Sequence, residues 1–304
     1  MRISNFRDLL EAARQAGPRT VAIAAAHEKE VLQAAQSAQA ERIADSILVG
    51  DGAAIRSLAE CLHLDLTCMG VIDQPEPKKA AAQVMALVRE GRAQVAMKGR
   101  IETGDFLRAA LDKDTGLRTG HLLSHVGVFE IPGFSRLLFI TDAGVVVAPD
   151  ITQKVEIVQN AIDVAQTLGI QMPKVAILAA TEMVNPKIPT TLDAANLAKM
   201  ADRGQIRGGI VDGPLALDNA ISSESSSIKG INSPVAGQAD ILVAPDIEAG
   251  NMLSKAITYF AKGRMAGVVV GAQCPLIVAS RSDPHETKLL SMALGIIMVA
   301  WPQL

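Results

Sequence analysis

Short apolar runs and segments with helical periodicity alternate along the first hundred residues of the chain. In the segment 4–17, apolar residues recur at the three- and four-residue spacing of an amphipathic helix. A run that begins at Arg19 is then apolar at nearly every position, as expected of a strand that is buried on both faces. Further runs of this kind, separated by helical patterns, lie at 46–50, 66–72 and 93–97. This alternation predicts a parallel sheet covered by helices, and therefore an α/β fold.

The alternation is interrupted once, in the middle of the chain. Predicted strands follow one another there without helices between them, at 122–130, 136–141 and 144–147. This run indicates an antiparallel excursion that leads into a second lobe. The alternation of strands and helices resumes at Thr152 and continues to a last helix that starts at Pro284.

The interruption divides the predicted fold into two α/β domains. The first domain is discontinuous, comprising residues 1–143 and 267–304, and the second comprises residues 144–266. Within the second domain, the Ser-rich segment 222–229 is predicted to be a loop. Such a segment is either a mobile lid or a plain surface connection, and the surface connection is the more common case.

Composition and charge narrow the functions that this fold can serve. The chain has 304 residues, of which 49% are apolar and 20% charged, as expected of a folded globular protein. Only 3% are aromatic, which argues against stacking on single-stranded nucleic acid. The net charge of −3 provides no general basic surface for DNA or RNA. An anionic small substrate would therefore have to be held by local arginine and lysine residues, and no nucleic-acid partner is expected.

The cysteines and the apolar segments predict a soluble, cytoplasmic protein. The three cysteines are too few and too scattered for a disulfide framework, and they show no metal-ligand spacing with the histidines. Cys274 in particular is predicted to be a buried small hydrophobic residue and not a nucleophile. The N-terminus carries charges where a signal peptide needs an apolar region. The longest apolar stretch, 289–301, is too short to span a bilayer, so we expect no membrane partner and no metal site.

One candidate site follows the predicted strand at 93–97. Lys98 and Gly99 end that strand, and the helix that follows carries Arg108 about one turn from its start. A strand end, glycines and a helix N-terminus with nearby cations can form a phosphate cradle. The alternative, with about equal weight, is an ordinary charged turn with an exposed arginine, since no established phosphate-binding motif is present.

A second candidate site precedes the last helix. Ser280 and Arg281 lie just before the predicted helix start at Pro284, where backbone N–H groups favour an anion. Asp283 is predicted to cap this helix. Glu286 in the first helical turn has a structural explanation through the helix dipole, and it is also the available proton acceptor beside Asp283.

Two further turns carry polar residues after predicted strands. Asp212 is explained most simply as a turn or cap residue, although its place at the rim of the predicted cleft also makes it a substrate-binding candidate. Asp246 is predicted to cap the helix that follows it. That helix contains Gly250 in its first turn, next to Asn251, and a helical glycine costs about 1 kcal/mol relative to alanine. Close approach of a ligand or of another backbone segment would explain this glycine.

The set of motifs at these turns resembles the phosphate acetyltransferase/phosphate butyryltransferase family. The segments that carry the resemblance are Asp-Gly-Pro-Leu-Ala-Leu-Asp (212–218), Asn-Ser-Pro-Val-Ala-Gly (232–237), Ala-Pro-Asp-Ile-Glu-Ala-Gly-Asn (244–251) and Ser-Arg-Ser-Asp (280–283), extended by 98–99 and 104–108. The resemblance implies a two-lobed, three-layer α/β/α fold like that of isocitrate and isopropylmalate dehydrogenases, with the active site in the interdomain cleft. It also implies the reaction acyl-CoA + phosphate ⇌ acyl phosphate + CoA. CoA is then a substrate, no cofactor is tightly bound, and the protein is a homodimer or larger homo-oligomer.

The resemblance assigns roles to several of the candidate residues. It places Ser280 and Arg281 at the reacting centre and implicates Arg108 in holding phosphate. The acetyl branch has an aspartate base six residues after the motif arginine, where this chain has Thr287. The pattern here is closer to the butyryl branch, so we expect a butyryl group to be favoured over acetyl, with Glu286 as the proton acceptor. Direct attack of CoA thiolate on the acyl phosphate agrees with the lack of a nucleophile triad in the sequence.

Two other functions are compatible with a two-lobed α/β fold. An NAD-dependent oxidative decarboxylase of a hydroxy acid would need a cluster of metal-binding aspartates and a nicotinamide site, and the sequence indicates neither. A non-enzymatic small-molecule binding protein is the second alternative. Proteins of that kind are often exported, and the predicted lack of a signal peptide argues against it.

Overall fold

A computed structural model describes residues 2–301 of the chain, and it confirms the predicted α/β fold. Its helices are α1 (Phe6–Ala16), α2 (Lys29–Ala40), α3 (Gly52–Cys61), α4 (Pro77–Arg89), α5 (Thr103–Ala110), α6 (Ile151–Thr167), α7 (Pro189–Asp202), α8 (Leu217–Ile221), α9 (Ser223–Ile228), α10 (Ile247–Tyr259) and α11 (His285–Ala300). Its strands are β1 (Arg19–Ala24), β2 (Ala44–Gly50), β3 (Gly70–Asp73), β4 (Val95–Lys98), β5 (Ser124–Glu130), β6 (Leu138–Thr141), β7 (Lys174–Leu178), β8 (Ile210–Leu215), β9 (Ile241–Val243), β10 (Arg264–Val270) and β11 (Leu276–Ile277).

The first of two compact units contains residues 6–121 and, from the end of the chain, residues 266–301. Its strands lie in the order β3-β2-β1-β4-β11-β10, and all neighbouring pairs up to β11 are parallel, whereas β10 and β11 are antiparallel. The strands β1 and β4 are almost fully buried, which explains their continuous apolar sequences. Helices α1 and α2 each pack on α11, and α4 packs on β1 and on α5.

Helix α11 contains the longest apolar stretch of the sequence and belongs to the core of this unit. Every residue from Thr287 to Ile297 on it is buried, so the helix is apolar on all sides because other elements surround it. Among residues 2–301, no helix combines the length and the apolar character that crossing a bilayer requires.

The second unit contains residues 122–265 together with the short N-terminal segment 2–5. Its strand order is β5-β6-β9-β7-β8, with β5 and β6 antiparallel and the remaining pairs parallel. Its core is built from apolar side chains of these strands, of the segment between α9 and β9 and of α10, among them Phe129, Ile140, Leu242, Val235 and Ile257.

The two compact units divide the chain differently from the predicted domains around residues 122–143. The sequence places this segment in the first domain, whereas backbone contacts place it with the second unit. Strand β6 explains the difference, because Phe139–Thr141 pairs in register with Ile241–Val243 of β9.

The strand predicted at 144–147 is absent from the structure, and this prediction is wrong. The buried carboxylate of Asp142 accepts hydrogen bonds from the backbone N–H groups of Gly144 at 2.7 Å, Val145 at 2.9 Å and Val146 at 3.1 Å. Three successive N–H groups that point to one carboxylate cannot alternate between neighbouring strands. The segment is therefore a turn held by a side chain.

Two other elements differ from their predictions. The segment 222–229, predicted to be a loop, forms α9, because the Ser222 side chain accepts a hydrogen bond from the Ser225 N–H and caps the helix. The strand predicted at 66–72 begins only at Gly70. The residues before it form a turn in which the Asp65 carboxylate accepts from the Thr67 N–H at 2.9 Å.

Candidate active site

The predicted site residues are distributed over both units. Those in the first unit are Lys98, Gly99, Arg108, Ser280, Arg281 and Glu286. Asp212 and Asn251 belong to the second unit. Each group is described within its own unit.

In the first unit, the two main candidate turns meet at the carboxyl ends of neighbouring parallel strands. β4 ends at Lys98, and it pairs with β11, where Met97 lies opposite Ile277. The segment that follows β11 leads into the Ser-Arg loop, which we define as residues 280–283. A guanidinium N–H of Arg281 donates to Glu102 Oε1 at 2.7 Å, which joins the Ser-Arg loop to the turn after β4. The two candidate turns therefore lie together within this unit.

The Ser-Arg loop is closed by its own aspartate. The Ser280 N–H donates to Asp283 Oδ2 at 2.8 Å, and the hydroxyl groups of Ser280 and Ser282 lie 3.1 Å apart. The N-cap of α11 is Pro284, so the prediction that Asp283 caps this helix is wrong. The carboxylate of Asp283 turns back to the loop and fixes the backbone of Ser280.

Lys98 lies beneath this loop and is 5% exposed. Its ammonium donates to the carbonyl oxygens of Gly99 at 3.4 Å and Ile101 at 3.1 Å. Burial lowers the pKa of Lys98 most, the positive charges of Arg281 and Lys288 lower it further, and Glu28 acts in the opposite direction. Lys98 is therefore a buried cation near the Ser-Arg loop, and its contact with substrate stays a prediction.

Gly99 is explained by the close approach of two backbone segments. A Cβ at this position would lie 2.5 Å from the carbonyl oxygen of Ala25 and 2.9 Å from that of Ala24. The Gly99 N–H donates to the same Ala24 carbonyl at 2.7 Å. Any side chain would push β4 away from β1, so the glycine has a structural reason, and its predicted role toward substrate is untested.

Arg108 is exposed on α5 and forms an ion pair with Asp105. Asp105 lines a cavity of about 450 Å³, together with Arg100, Glu102 and Arg281. The sequence analysis did not single out Arg100 or Glu102, although both lie in the turn between Lys98 and the start of α5. Arg100 and Lys78 line this cavity as cations in addition to Arg281, whereas Arg108 is linked to it through its ion pair with Asp105.

Glu286 and Thr287 have different environments at the start of α11. Glu286 is exposed in the first turn of the helix. Thr287 is 8% exposed, and its carbonyl accepts a hydrogen bond from the Ser291 hydroxyl at 2.7 Å. The predicted role of Glu286 as the base stays a prediction.

Two charged residues next to the Ser-Arg loop, the buried Lys288 and the partly buried Glu28, were not predicted from the sequence. Lys288 is 2% exposed and lies 3.2 Å from Oε1 of Glu28, the residue that precedes α2. A charged residue at the start of a fully apolar helix signals a buried partner. The sequence cannot identify that partner, because Glu28 is distant along the chain.

In the second unit, the candidate residues have structural partners. Asp212 is half-buried in β8, and its carboxylate accepts from the neighbouring Gly213 N–H at 2.8 Å. Asn251 is exposed on α10, and its side-chain amide donates to the Ala143 carbonyl at 3.2 Å. A Cβ at Gly250 would lie 2.3 Å from the Asp142 carbonyl oxygen. Close approach of backbone, one of the two explanations for this helical glycine, is therefore confirmed.

Two structural predictions for individual residues are confirmed. The Asp246 carboxylate accepts from the Ala249 N–H at 2.8 Å and caps α10. Cys274 is buried, and burial raises the pKa of its thiol to about 12. The thiol is then protonated at neutral pH, which agrees with a packing role and not with that of a nucleophile.

The fold and the first-unit site define a class of protein. Two neighbouring parallel strands end in turns that carry Lys98, Arg100 and Arg281, beside a helix N-terminus. Such an arrangement is suited to an anionic small molecule. Comparison with known families identifies the class further. A family model described as phosphate acetyl/butaryl transferase matches residues 5–86 and 77–296, and the chain belongs to this family. The family predicted from the motifs is confirmed.

Some relatives of the chain are phosphate butyryltransferases and others are phosphate acetyltransferases. The chain is 46% identical to a phosphate butyryltransferase of Clostridium beijerinckii over 97% of this chain and 98% of the relative. It is 45% identical to a phosphate acetyltransferase of Rhizobium meliloti over 98% of this chain and 94% of the relative. Sequence identity alone does not separate the two branches.

Solved structures agree with the family assignment. A branched-chain phosphotransacylase from Enterococcus faecalis V583 has a TM-score of 0.81 and 32% identity, covering 92% of this chain and 99% of that one. A 4-hydroxythreonine-4-phosphate dehydrogenase from Klebsiella pneumoniae has a TM-score of 0.56 and 12% identity, covering 94% of this chain and 100% of that one. The second likeness concerns the fold alone, and it agrees with the predicted resemblance to a dehydrogenase fold.

Proposed function

We propose that this protein catalyses the reversible transfer of a short-chain acyl group between CoA and inorganic phosphate. The observation that carries the proposal is the meeting of the Ser-Arg loop with the Lys98 turn, in a chain that belongs to the phosphate acetyl/butyryl transferase family. CoA is a substrate in this proposal, and no tightly bound cofactor takes part. A cytoplasmic location and a homo-oligomeric state, without nucleic-acid or membrane partners, complete the proposal.

The charges of the first-unit site suit the phosphate group. Arg281 is 57% exposed, and its partner Glu102 is 75% exposed. An exposed ion pair of this kind contributes about 0–1 kcal/mol, so a phosphate oxygen can replace Glu102 as the partner of Arg281 at small cost. The guanidinium then holds two phosphate oxygens in the geometry that arginine prefers. Arg108, Lys98 and the backbone of Gly99 are the other phosphate-binding groups that we propose.

The proposed reaction needs no covalent enzyme intermediate. The sulfur of CoA thiolate attacks the carbonyl carbon of the acyl phosphate, the C–S bond forms, and the C–O bond to phosphate breaks. Ser280 and Arg281 stabilise the developing oxyanion and the leaving phosphate. Glu286 accepts the thiol proton. Asp212 and Asn251 are proposed to contact the bound substrates.

The acyl group is proposed to be butyryl in preference to acetyl. The preference rests on the segment after the Ser-Arg loop, where Thr287 occupies the position of the acetyl-branch base. Thr287 is buried and has no ionisable group, so the thiol proton needs another acceptor. The exposed carboxylate of Glu286 is its immediate neighbour along the helix.

The proposal is tested with purified protein, inorganic phosphate and a series of acyl-CoA substrates from acetyl to hexanoyl. Released CoA is followed with a thiol reagent, and omission of phosphate is the control for simple hydrolysis. We expect phosphate-dependent CoA release, with the highest kcat/KM for butyryl-CoA. Absence of release with every acyl-CoA would contradict the function, whereas a maximum at acetyl-CoA would contradict only the preference.

A further inference from the structure

The ammonium group of Lys288 is held by three oxygen atoms. It donates to the carbonyl oxygen of Asp283 at 2.8 Å and to that of Ser280 at 3.2 Å. It also lies 3.2 Å from Glu28 Oε1. The two carbonyl oxygens accept two of its three N–H groups, and the contact with Glu28 is an ion pair. The Lys288 side chain is 2% exposed, so protein groups surround it and bulk solvent does not reach it.

We propose that Lys288, together with Glu28, is a positioning residue that holds the Ser-Arg loop in the conformation needed for acyl transfer. The inference rests on the proposed function, because it assigns a role toward Ser280 and Arg281 in that reaction. Lys288 does not contact substrate in this proposal. It acts through the backbone of the loop.

The hydrogen bonds of the loop show why one lysine can set its shape. Ser280 is fixed at both backbone groups, its N–H by the Asp283 carboxylate and its carbonyl by Lys288. Lys288 also binds the carbonyl of Asp283, so the two ends of the loop are tied to one atom. The side chains of Ser280 and Arg281 are exposed. The loop is therefore fixed from its buried side while its reactive groups stay accessible.

The Glu28 side chain does not stabilise α2 by capping it. It precedes α2 as the N-cap residue, but its side chain forms no capping hydrogen bond. By contrast, Asp51 and Asp246 at the corresponding positions of α3 and α10 each cap the helix. The Glu28 side chain is 13% exposed and lies beside Lys288. A buried carboxylate in this place balances the charge of a lysine that has been removed from water.

The first experiment compares Lys288→Met with a matched buried lysine. Lys154 is the control, because its side chain is 7% exposed and its ammonium is paired with Asp193 at 2.6 Å in the second unit. We expect Lys288→Met to lower kcat by about 100-fold, as misplacement of a reacting group by about 1 Å can do. Lys154→Met is expected to keep the wild-type kcat. Equal kcat values for Lys288→Met and the wild type would overturn the inference.

The second experiment separates positioning of the loop from general stabilisation. Lys288→Met is introduced into the wild type and into the Ser280→Ala variant, and kcat is measured for all four proteins. If Lys288 acts through the loop, its loss costs much less when Ser280 is already absent. An equal fold-loss in both backgrounds would overturn the inference, because a general structural role is indifferent to Ser280.

If Lys288→Met does not fold, the variant Glu28→Gln tests the same positioning role. Glu28→Gln preserves the size of the side chain and removes only its charge, so Lys288 keeps both carbonyl partners. We expect a folded protein with a smaller fall in kcat and the same non-additivity with Ser280→Ala. A folded Glu28→Gln variant with wild-type kcat would overturn the inference. Failure of the proposed function is distinguished from all these outcomes, because the wild type and Lys154→Met would then also lack acyl transfer.

Discussion

The guanidinium of Arg281 is exposed and is held by a single exposed partner, Glu102. Replacement by alanine therefore removes little from the stability of the fold, about 0–1 kcal/mol. Because Arg281 is proposed to act at the reacting centre, loss of its charge is expected to lower kcat/KM by at least about 100-fold. The measurement is steady-state acyl transfer, with thermal unfolding as the control for folding. An Arg281→Ala variant that keeps its activity would remove this residue from the mechanism.

Glu286 is expected to affect the rate and not the fold. Glu286→Gln keeps the shape of the side chain but cannot accept a proton, so the rate of acyl transfer to CoA is expected to fall by about 100- to 10,000-fold. His285, also exposed at the start of α11, gives the control variant His285→Gln, which should retain activity. Similar activities for both variants would transfer the role of the base to another residue.

Lys98 is expected to make stability depend on pH in the alkaline range. Its pKa in the folded protein lies below the ordinary value of 10.5, mainly because of burial. Between the folded and the unfolded pKa, the unfolded chain binds more protons than the folded one, so stability rises with pH in that window. Below the folded-state pKa, Lys98 is charged in both the folded and the unfolded protein, and it then contributes no rise in stability with pH. Lys98→Met should therefore show a smaller rise in the free energy of unfolding than the wild type as the pH increases toward 10.5, the ordinary pKa of lysine.

That comparison is made by urea unfolding at a series of pH values. The free energy of unfolding is plotted against pH for both proteins. The difference between the two slopes gives the contribution of Lys98 apart from the other groups that titrate in the alkaline range. Identical slopes for the wild type and Lys98→Met would contradict the lowered pKa.

Local spacing predicts the cap at Asp246 but not the role of Asp283, although each carboxylate has its partner three residues away. The cap at Asp246 has its N–H partner three residues ahead, and a cap of that kind follows from local spacing. Asp283 has the same residue type before a helix, but its carboxylate turns back to Ser280. The choice between these partners is made by the loop as a whole, where Lys288 already holds the Asp283 carbonyl. The preference of aspartate for the N-cap position therefore gives the wrong role for Asp283.

At the level of elements, apolar periodicity predicted nearly all strands and helices. The wrong predictions lie where a side-chain oxygen accepts hydrogen bonds from backbone N–H groups, which either prevents a strand or caps a short helix. Asp142 draws the N–H groups of 144–146 into a turn, although their sequence is as apolar as that of a strand. Ser222 starts α9 in a polar segment that has no apolar periodicity. Both cases depend on side-chain hydrogen bonds that hydrophobic patterning does not report.

The Asp142 turn yields a stability prediction. Its carboxylate is 3% exposed and also accepts from the His125 N–H at 3.2 Å, in addition to the three N–H groups of the turn. Asp142→Ala leaves these donors without their acceptor and is expected to lower the free energy of unfolding by about 3 kcal/mol. Asp246→Ala, which removes one helix cap, should cost about 1 kcal/mol. Urea unfolding compares the two, and a smaller loss for Asp142→Ala than for Asp246→Ala would contradict the assignment.

For the whole molecule, the sequence predicted the family and the α/β fold because several motifs recur together in one order. It did not predict which residues support the Ser-Arg loop from within. Glu28 and Lys288 lie near opposite ends of the chain, and only the tertiary fold brings their side chains to 3.2 Å. A lysine at the start of an apolar helix indicates a buried partner, but the sequence does not identify Glu28 as that partner.

Ligand binding gives a test of the site that does not depend on turnover. A ligand that binds only the folded protein stabilises it by an amount that grows with concentration, about 2.7 kcal/mol at 100 times the Kd. Inorganic phosphate is therefore expected to raise the unfolding temperature of the wild type in a concentration-dependent way. Because Arg281 lines the cavity of about 450 Å³ and is the proposed phosphate partner, Arg281→Ala should lose most of this shift.

Two controls separate specific binding from the general effect of salt. Sodium chloride at matched ionic strength screens charges in the same way but does not offer the tetrahedral oxygens that arginine binds in pairs. Arg207→Ala removes an exposed arginine of the second unit and should keep the full phosphate shift. If Arg281→Ala and the wild type respond equally to phosphate, the anion is bound elsewhere, and the phosphate site must then be sought among Arg100, Arg108 and Lys98 by the same titration.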